Sequence, residues 1–295
     1  MAKITCFGEV LWDVFPTQKK IGGAPLNVAN RLQSLNHEVT MVSAVGQDND
    51  GNKIKDYLVN CGINTNCLQR IPDYKTGKVE IVLDEKGVAS YTIEHPRAWD
   101  KIALTEANKT NTKNADAFVF GSLAARDNVS KNTLYQLLEL AKFKVFDLNL
   151  RPPYYTKDLL FDLMYKANFI KFNDDELYEV SHYLGSKYHA LEQNLKFVAA
   201  KTKTQQICVT KGGYGAILLY NDQLYYNSGY RVKVADTVGA GDSFLAALTS
   251  QLINGENPQK AIDFACAVGA LVAQSEGANP IISQQEIEAF INPLN

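Results

Sequence analysis

Short apolar runs alternate with amphipathic stretches along most of the chain. Ile4–Glu9, Val39–Val45, Ala117–Phe120, Val145–Leu148, Phe169–Phe172 and Ile207–Val209 read as strands. Between them the apolar spacing lengthens. Pro25–Leu35 sets Leu26, Ala29, Leu32 and Leu35 on one face, with a proline in the first turn. Ile54–Cys61 predicts a helix stopped by Gly62. Val129–Ala141, Leu159–Ala167, Glu176–Leu184 and Ala190–Lys201 predict four more. This is the βαβ rhythm of a parallel sheet covered on both faces, with right-handed crossovers.

The last third differs. Gly215–Tyr220 and Gln223–Asn227 flank Asn221-Asp222, a hairpin turn signal. Helices are expected at Ala240–Ile253 and Pro258–Ala273. A third begins at Ser283, where Ser283 and Glu286 match a capping box. One segment breaks the alternation. Lys78–Leu83 and Val88–Ile93 read as strands joined by Asp84-Glu85-Lys86-Gly87. Val79, Ile81 and Leu83 share one face, and Ala89, Tyr91 and Ile93 share another. A lone hairpin is marginal in water, so its apolar surface must cover the main body, a ligand or a second copy. It reads as a small lid.

With 295 residues, one large core or two short domains are both open. Thirty basic and 32 acidic residues leave a formal charge of −2, which argues against nucleic acid as the partner. No apolar leader follows Met1. The uncharged stretches Ser243–Gly255 and Phe264–Ser275 are shorter than the about 20 residues that span a bilayer. The five cysteines form no C-x-x-C pair and read as reduced thiols, so a cytoplasmic protein without a membrane segment is expected. The four scattered histidines have no zinc-site spacing.

The sharpest chemical signal is Asp236-Thr237-Val238-Gly239-Ala240-Gly241-Asp242, which runs straight into an apolar helix. Three residues with almost no side chain let a ligand touch the backbone. The first helical N–H groups, with the helix dipole, favour an anion such as phosphate. Asp242 adds a carboxylate beside them, although a plain capped turn fits the same residues. A P-loop, a dinucleotide glycine fingerprint and a nucleophile elbow are all missing from the sequence. The second signal is Gly22-Gly23-Ala24-Pro25-Leu26-Asn27, two glycines ahead of a helix whose first turn carries an amide. Alone it is equally a loop that starts a helix.

In order and spacing these two segments resemble the paired signatures of the PfkB, or ribokinase-like, carbohydrate kinases. Gly8-Glu9-Val10-Leu11-Trp12-Asp13 resembles their bacterial fructokinase branch most. One position departs: Asn36 stands where the pattern has Gly or Ser, and Asn also tolerates a left-handed turn. The resemblance implies a three-layer α/β sandwich in one unit, residues 1–295. A mainly parallel central sheet would carry a β lid around residues 11–23 and 78–100. It implies ATP-dependent phosphorylation of a sugar hydroxyl, most nearly fructose to fructose 6-phosphate, with Mg²⁺ and a possible K⁺. Asp242 would be the general base, and Gly239, Ala240, Gly241 and the Asp242 amide the anion hole. The helix dipole would keep Asp242 ionised. Asp13, Gly22, Gly23, Asn27, Arg97 and Arg151 would meet the sugar and phosphate. Asn173 and Glu176 match the N-x-x-E motif that orders magnesium through water. Thr210, Gly212 and Gly215 match a nucleotide turn. Asp236 and the Val238 carbonyl would hold the monovalent cation. A homodimer through the lid is expected. Kinases for ribose, 2-keto-3-deoxygluconate or a nucleoside, and a silent sugar sensor, are the competing readings.

Overall fold

The computed structural model describes residues 1–83 and 89–293, and the side chains of residues 81–91 lie outside that description. The expected turn at residues 84–87, Val88, and the faces assigned to Ile81, Leu83, Ala89 and Tyr91 therefore also lie outside it. The chain opens with β1 (Lys3–Phe7), β2 (Leu11–Val14), β3 (Lys19–Gly22), α1 (Ala24–Ser34) and β4 (Glu38–Gly46). There follow α2 (Asn49–Asn60), β5 (Leu68–Ile71), β6 (Gly77–Leu83), β7 (Ala89–Ile93) and α3 (Glu106–Asn114). The middle comprises β8 (Ala117–Gly121), α4 (Asn128–Leu138), β9 (Lys144–Asp147), α5 (Lys157–Lys166), β10 (Phe169–Asn173) and α6 (Asp174–Tyr183). The chain closes with α7 (Leu191–Thr202), β11 (Gln206–Thr210), β12 (Ala216–Tyr220), β13 (Gln223–Asn227), α8 (Ala240–Ile253), α9 (Pro258–Ala273) and α10 (Gln284–Ile291).

The large sheet has the order β13-β12-β11-β10-β9-β8-β1-β4-β5. From β11 to β5 every neighbouring pair is parallel, while β12 and β13 run antiparallel at one edge. The two-residue side-chain period of a strand sorts the core onto two faces. Ile4, Cys6, Val119, Val145, Phe169 and Cys208 pack with α1, α2, α8 and α9. Phe7, Phe118, Phe120, Phe146, Phe172 and Val209 pack with α4 to α7. The result is a three-layer sandwich. Asn221 and Asp222 take left-handed conformations in the β12–β13 turn, as does Asn36 after α1. Among the described residues no helix is long and apolar enough to cross a membrane.

The lid is a second sheet, β3-β2-β6-β7. β2 and β6 pair in parallel from Leu11↔Gly77 to Val14↔Glu80, which joins two distant stretches of chain. Among the described residues Leu11, Val79 and Ile93 of the lid pack with Trp99 and Leu123 of the body. Four chain crossings tie the lid to the body, after β1, before α1, before β6 and after β7. Two helices depart most from expectation. α2 begins at Asn49 because the Asp48 side chain accepts from the Gly51 N–H. α3 was not anticipated; its sequence has almost no apolar face, and a Thr105/Asn108 capping box starts it.

Candidate active site

Parallel strands put their C-terminal ends on one edge of the sheet, and open α/β sheets take ligands there. Glu9 follows β1 and Gly121 ends β8. Asp147 ends β9, Asn173 ends β10 and Thr210 ends β11. α8 starts against this edge. Gly239 is its N-cap in a left-handed conformation, and a Cβ there would lie 2.5 Å from the Ala278 Cβ, so the close approach of the 276–280 loop requires glycine. The N–H groups of Gly241 and Asp242 find no acceptor among the described residues. The Ala240 N–H does: it donates to the Thr237 carbonyl at 3.2 Å. The anion loop therefore offers fewer free amides than its sequence implies.

Asp242 occupies the first turn of α8. Its Oδ2 accepts from Asn27 Nδ2 at 2.8 Å, which joins the two glycine-rich segments across 215 residues of sequence. Burial and the neighbouring Asp147 raise its pKa to about 6 against the pull of Asn27, Lys171 and Arg151. Removal of water is the largest influence, and the carboxyl titrates at about 6, above its usual range yet still mostly ionised at pH 7.

Asp13 lies in β2 and rises to about 6, chiefly by burial, with Arg151 opposing and Asp242 reinforcing the shift. Gly22 of β3, paired with Leu11, lies diagonally across from Asp13, and any side chain at 22 would sit on Asp13 Oδ2. Gly23 has φ 112 as the α1 N-cap, and a Cβ there would lie 2.5 Å from the Glu9 carbonyl. Arg151 is exposed; its Nη1 donates to its neighbour's carbonyl at Leu150. Its charge lowers the pKa values of Glu9, Asp13 and Asp242 together. Arg97 instead forms an ion pair with Glu94 at the foot of the lid.

Three groups at the centre went unassigned by sequence reasoning. Lys171 sits in β10, and its Nζ donates to Asp147 Oδ1 at 2.9 Å with both side chains nearly sealed from water. Burial works against the ammonium, yet Asp147, Glu176 and Asp242 more than offset it and hold its pKa above the usual lysine value. Glu9 is 3% exposed, and burial pushes its pKa up to about 7. Glu9 and Asp147 line a narrow cavity with Ser122 and Asn149, and Glu9 Oε2 and Asp147 Oδ2 are buried without partners. The available signal was a lysine inside the otherwise apolar Phe169–Phe172 strand, where a charge has to be paired.

Glu176 is buried and fully engaged by the backbone. Oε2 accepts from the Asn173 N–H at 2.8 Å and Oε1 from the Leu150 N–H at 2.9 Å, while Asn173 Oδ1 accepts from the Glu176 N–H. The N-x-x-E stretch is thus a capping box that also fastens the loop after β9. Beside it, in register, lies Thr210, followed by Gly212 and Gly215 with positive φ. A Cβ at Gly212 would meet open space. Asp236 accepts from the Val238 and Gly277 N–H groups at 3.0 and 3.1 Å. Among the described residues no group of three or more His, Cys, Asp or Glu is placed to hold a metal by itself.

Phosphoryl transfer asks for positioned donors and charge rather than covalent help, and this edge of the sheet supplies both. The molecule falls in the class of small-molecule kinases. The chain belongs to the pfkB family of carbohydrate kinases, whose profile matches residues 1–285. It is similar to the fructokinase of Vibrio alginolyticus, 26% identical over 99% of each chain. Its fold is that of a double-mutant fructokinase from Vibrio cholerae O395 solved with fructose, ADP and potassium ion. The TM-score is 0.85 at 22% identity, over 99% of both chains. The ATP-bound fructokinase from Xylella fastidiosa gives a TM-score of 0.87 at 22% identity, again over 99% of both.

Proposed function

We propose that this sugar kinase is a fructokinase that transfers the terminal phosphoryl group of ATP to the 6-hydroxyl of fructose. The observation that carries the reading is Asp242, a carboxylate titrating at about 6 beside two amides without acceptors. In this reading Asp242 takes the hydroxyl proton late in a loose transition state. The Gly241 and Asp242 amides, with Gly239 and Ala240 shaping the turn, meet the charge that develops on the phosphoryl oxygens. Asp13, Gly22, Gly23 and Asn27 hold the sugar, and the exposed charge of Arg151 reaches the phosphate. Arg97 acts from the lid foot once released from Glu94. Asn173, Glu176, Thr210, Gly212 and Gly215 line the nucleotide end.

Magnesium bound with ATP supplies charge neutralisation. Both Glu176 oxygens already accept a backbone N–H, which suits a contact through water rather than direct ligation. A monovalent cation beside the loop, held by Asp236 and the Val238 carbonyl, belongs to the same reading. Equal activity in K⁺, Na⁺ and a bulky organic cation would count against it. The chain is taken as one unit, residues 1–295, in the cytoplasm, in keeping with ATP as donor and five free thiols. It pairs with a second copy through the lid, whose outer strands β3 and β7 are sheet edges that favour pairing. Sedimentation of a fully active monomer at micromolar concentration would end the dimer proposal.

The deciding experiment is ADP release over a panel of sugars with ATP and Mg²⁺, with the product's phosphate placed by NMR. Fructose with phosphate at C6 is expected. Preference for ribose, 2-keto-3-deoxygluconate or a nucleoside would replace the substrate, and sugar binding without ADP release would mark a sensor.

A further inference from the structure

We propose that Asn279 is a positioning residue that fixes the orientation of the Asn27 amide and so keeps an N–H donor on Asp242. The inference rests on the reading of Asp242 as base. An asparagine amide donates at one end and accepts at the other. Asn27 has both ends engaged: Nδ2 donates to Asp242 Oδ2 at 2.8 Å, and Oδ1 accepts from Asn279 Nδ2 at 2.9 Å. An ionised carboxylate only accepts, so Asp242 demands the NH₂ end of Asn27. The Oδ1 end then faces away, and whatever meets it must donate. Asn279 does so from a loop held at several points. The Gly277 N–H donates to Asp236, the Pro280 carbonyl accepts from Arg31 Nη2 at 2.9 Å, and Ala278 packs on Gly239. Asn279 Oδ1 is buried without a partner, while its Nδ2 donates to Asn27 Oδ1 with the Tyr57 hydroxyl also beside the amide.

Reversal of the Asn27 amide would set its carbonyl oxygen against the Asp242 carboxylate. That repulsion favours the protonated acid and raises the pKa of the base. The other charges that face Asp242 are Asp147 and Lys171 from β9 and β10, Arg151 from the following loop, and Glu9 and Asp13 from the β1–β2 side. Near Asn279 stand Tyr57 of α2 and Arg31 of α1. None of them contacts Asn27 Oδ1 among the described residues, so Asn279 is the donor that supports, from the Oδ1 end, the orientation Asp242 demands.

The test compares Asn279→Asp with Asn279→Ala. The aspartate is nearly isosteric but accepts only, so it competes with Asp242 for the same NH₂ group. The alanine merely withdraws the donor. We expect Asn279→Asp to be the more damaging, with kcat down roughly ten- to hundredfold, the scale of one charge-assisted hydrogen bond lost or inverted. The acid limb of its kcat–pH profile should move to higher pH, with KM for ATP unchanged. A packing role predicts the opposite order, with alanine worse and the acid limb in place, and that result overturns the proposal. Should Asn279→Asp not fold, the alanine variant decides alone: an acid limb at its wild-type position rejects the inference. Asp242→Asn separates the two ideas. If it retains turnover, the base reading fails. If it is inactive while Asn279→Asp keeps wild-type kcat and pH profile, only the role of Asn279 fails.

Discussion

The two ends of the cleft are built in opposite ways. At one end Glu9, Asp147, Lys171 and Glu176 are all buried, and Asp13 and Asp242 are pressed up to about 6 beside them. At the other end Gly212, Gly213 and Tyr214 are exposed, and a Cβ on either glycine would touch nothing. The first end holds charge that water cannot screen, fixed in place before a substrate arrives. The second offers backbone and shape. In the proposed reading bonds change at the first end, where preorganised charge matters most, and the open turn has only to hold a nucleotide.

The buried end is most sensitive at Asp242. Asp242→Asn should lower kcat by about 10²- to 10⁴-fold, the usual contribution of a general base, with sugar and ATP affinities within a few-fold. Near-normal turnover in steady-state assays would remove Asp242 from that role. Next comes Lys171→Met, which strands Asp147 as an unpaired buried charge. Removal of one partner of such a pair costs about 3–5 kcal/mol, readable by urea unfolding. It should also raise the Asp242 pKa, because the Lys171 charge pulls that value down. Asp13→Ala should weaken sugar binding, with about 1.5–3 kcal/mol lost per charged hydrogen bond to a hydroxyl, and leave KM for ATP alone. An unchanged sugar KM would move the pocket elsewhere. The smallest effect belongs to the open end. Gly212→Ala should cost about 1 kcal/mol through its left-handed backbone and act on KM for ATP rather than kcat.

The pH dependence sharpens the same contrast. Glu9 titrates at about 7, and Asp13 and Asp242 at about 6, all above their unfolded values. Groups raised in this way favour the folded state when protonated. Their contribution is complete below the unfolded pKa values and is lost as pH rises through the folded ones. Thermal stability of the ligand-free protein should therefore increase as pH is lowered from about 8 to about 6, while turnover falls over the same interval as Asp242 takes up its proton. A melting temperature that drops on that acidification would contradict the burial of these carboxyls.

What the sequence showed in advance follows from the same physics. The bounds of α8 and α9 agree with Ala240–Ile253 and Pro258–Ala273, because both are long and apolar, α8 starting at a glycine turn and α9 at the Asn257 cap and Pro258. α3 was silent: in Glu106–Asn114 the buried positions are Asn108 and Thr112, which periodicity counts as polar. β5 (Leu68–Ile71) is half-buried throughout and shows no alternation, and β2 and β3 are expected only through the resemblance, as the lid stretch 11–23. At the site, Asp242 and Asn27 stood out because glycines surround them. Lys171 did not, since its partner Asp147 is distant in the chain and only the adjacency of β9 and β10 brings the two together. The direction of the Asp242 pKa was equally hidden, because the helix dipole is local whereas burial beside Asp147 is a product of the whole fold.

The parallel pairing of β2 with β6 has a mechanical meaning. A flap hung from one hairpin can twist, tilt and slide, and its tip wanders over many positions. This sheet is stitched together from two stretches of chain and fastened to the body at four points, so it behaves as a plate on a hinge line. Twisting would shear the rungs between Leu11↔Gly77 and Val14↔Glu80, and sliding would drag β1 and α1 with it. What remains is one rotation about the line of attachments. Asp13 and Gly22 ride on that plate while Asp242 stays on the frame, so a single angle sets the distance between the group assigned to the sugar and the group assigned to its proton.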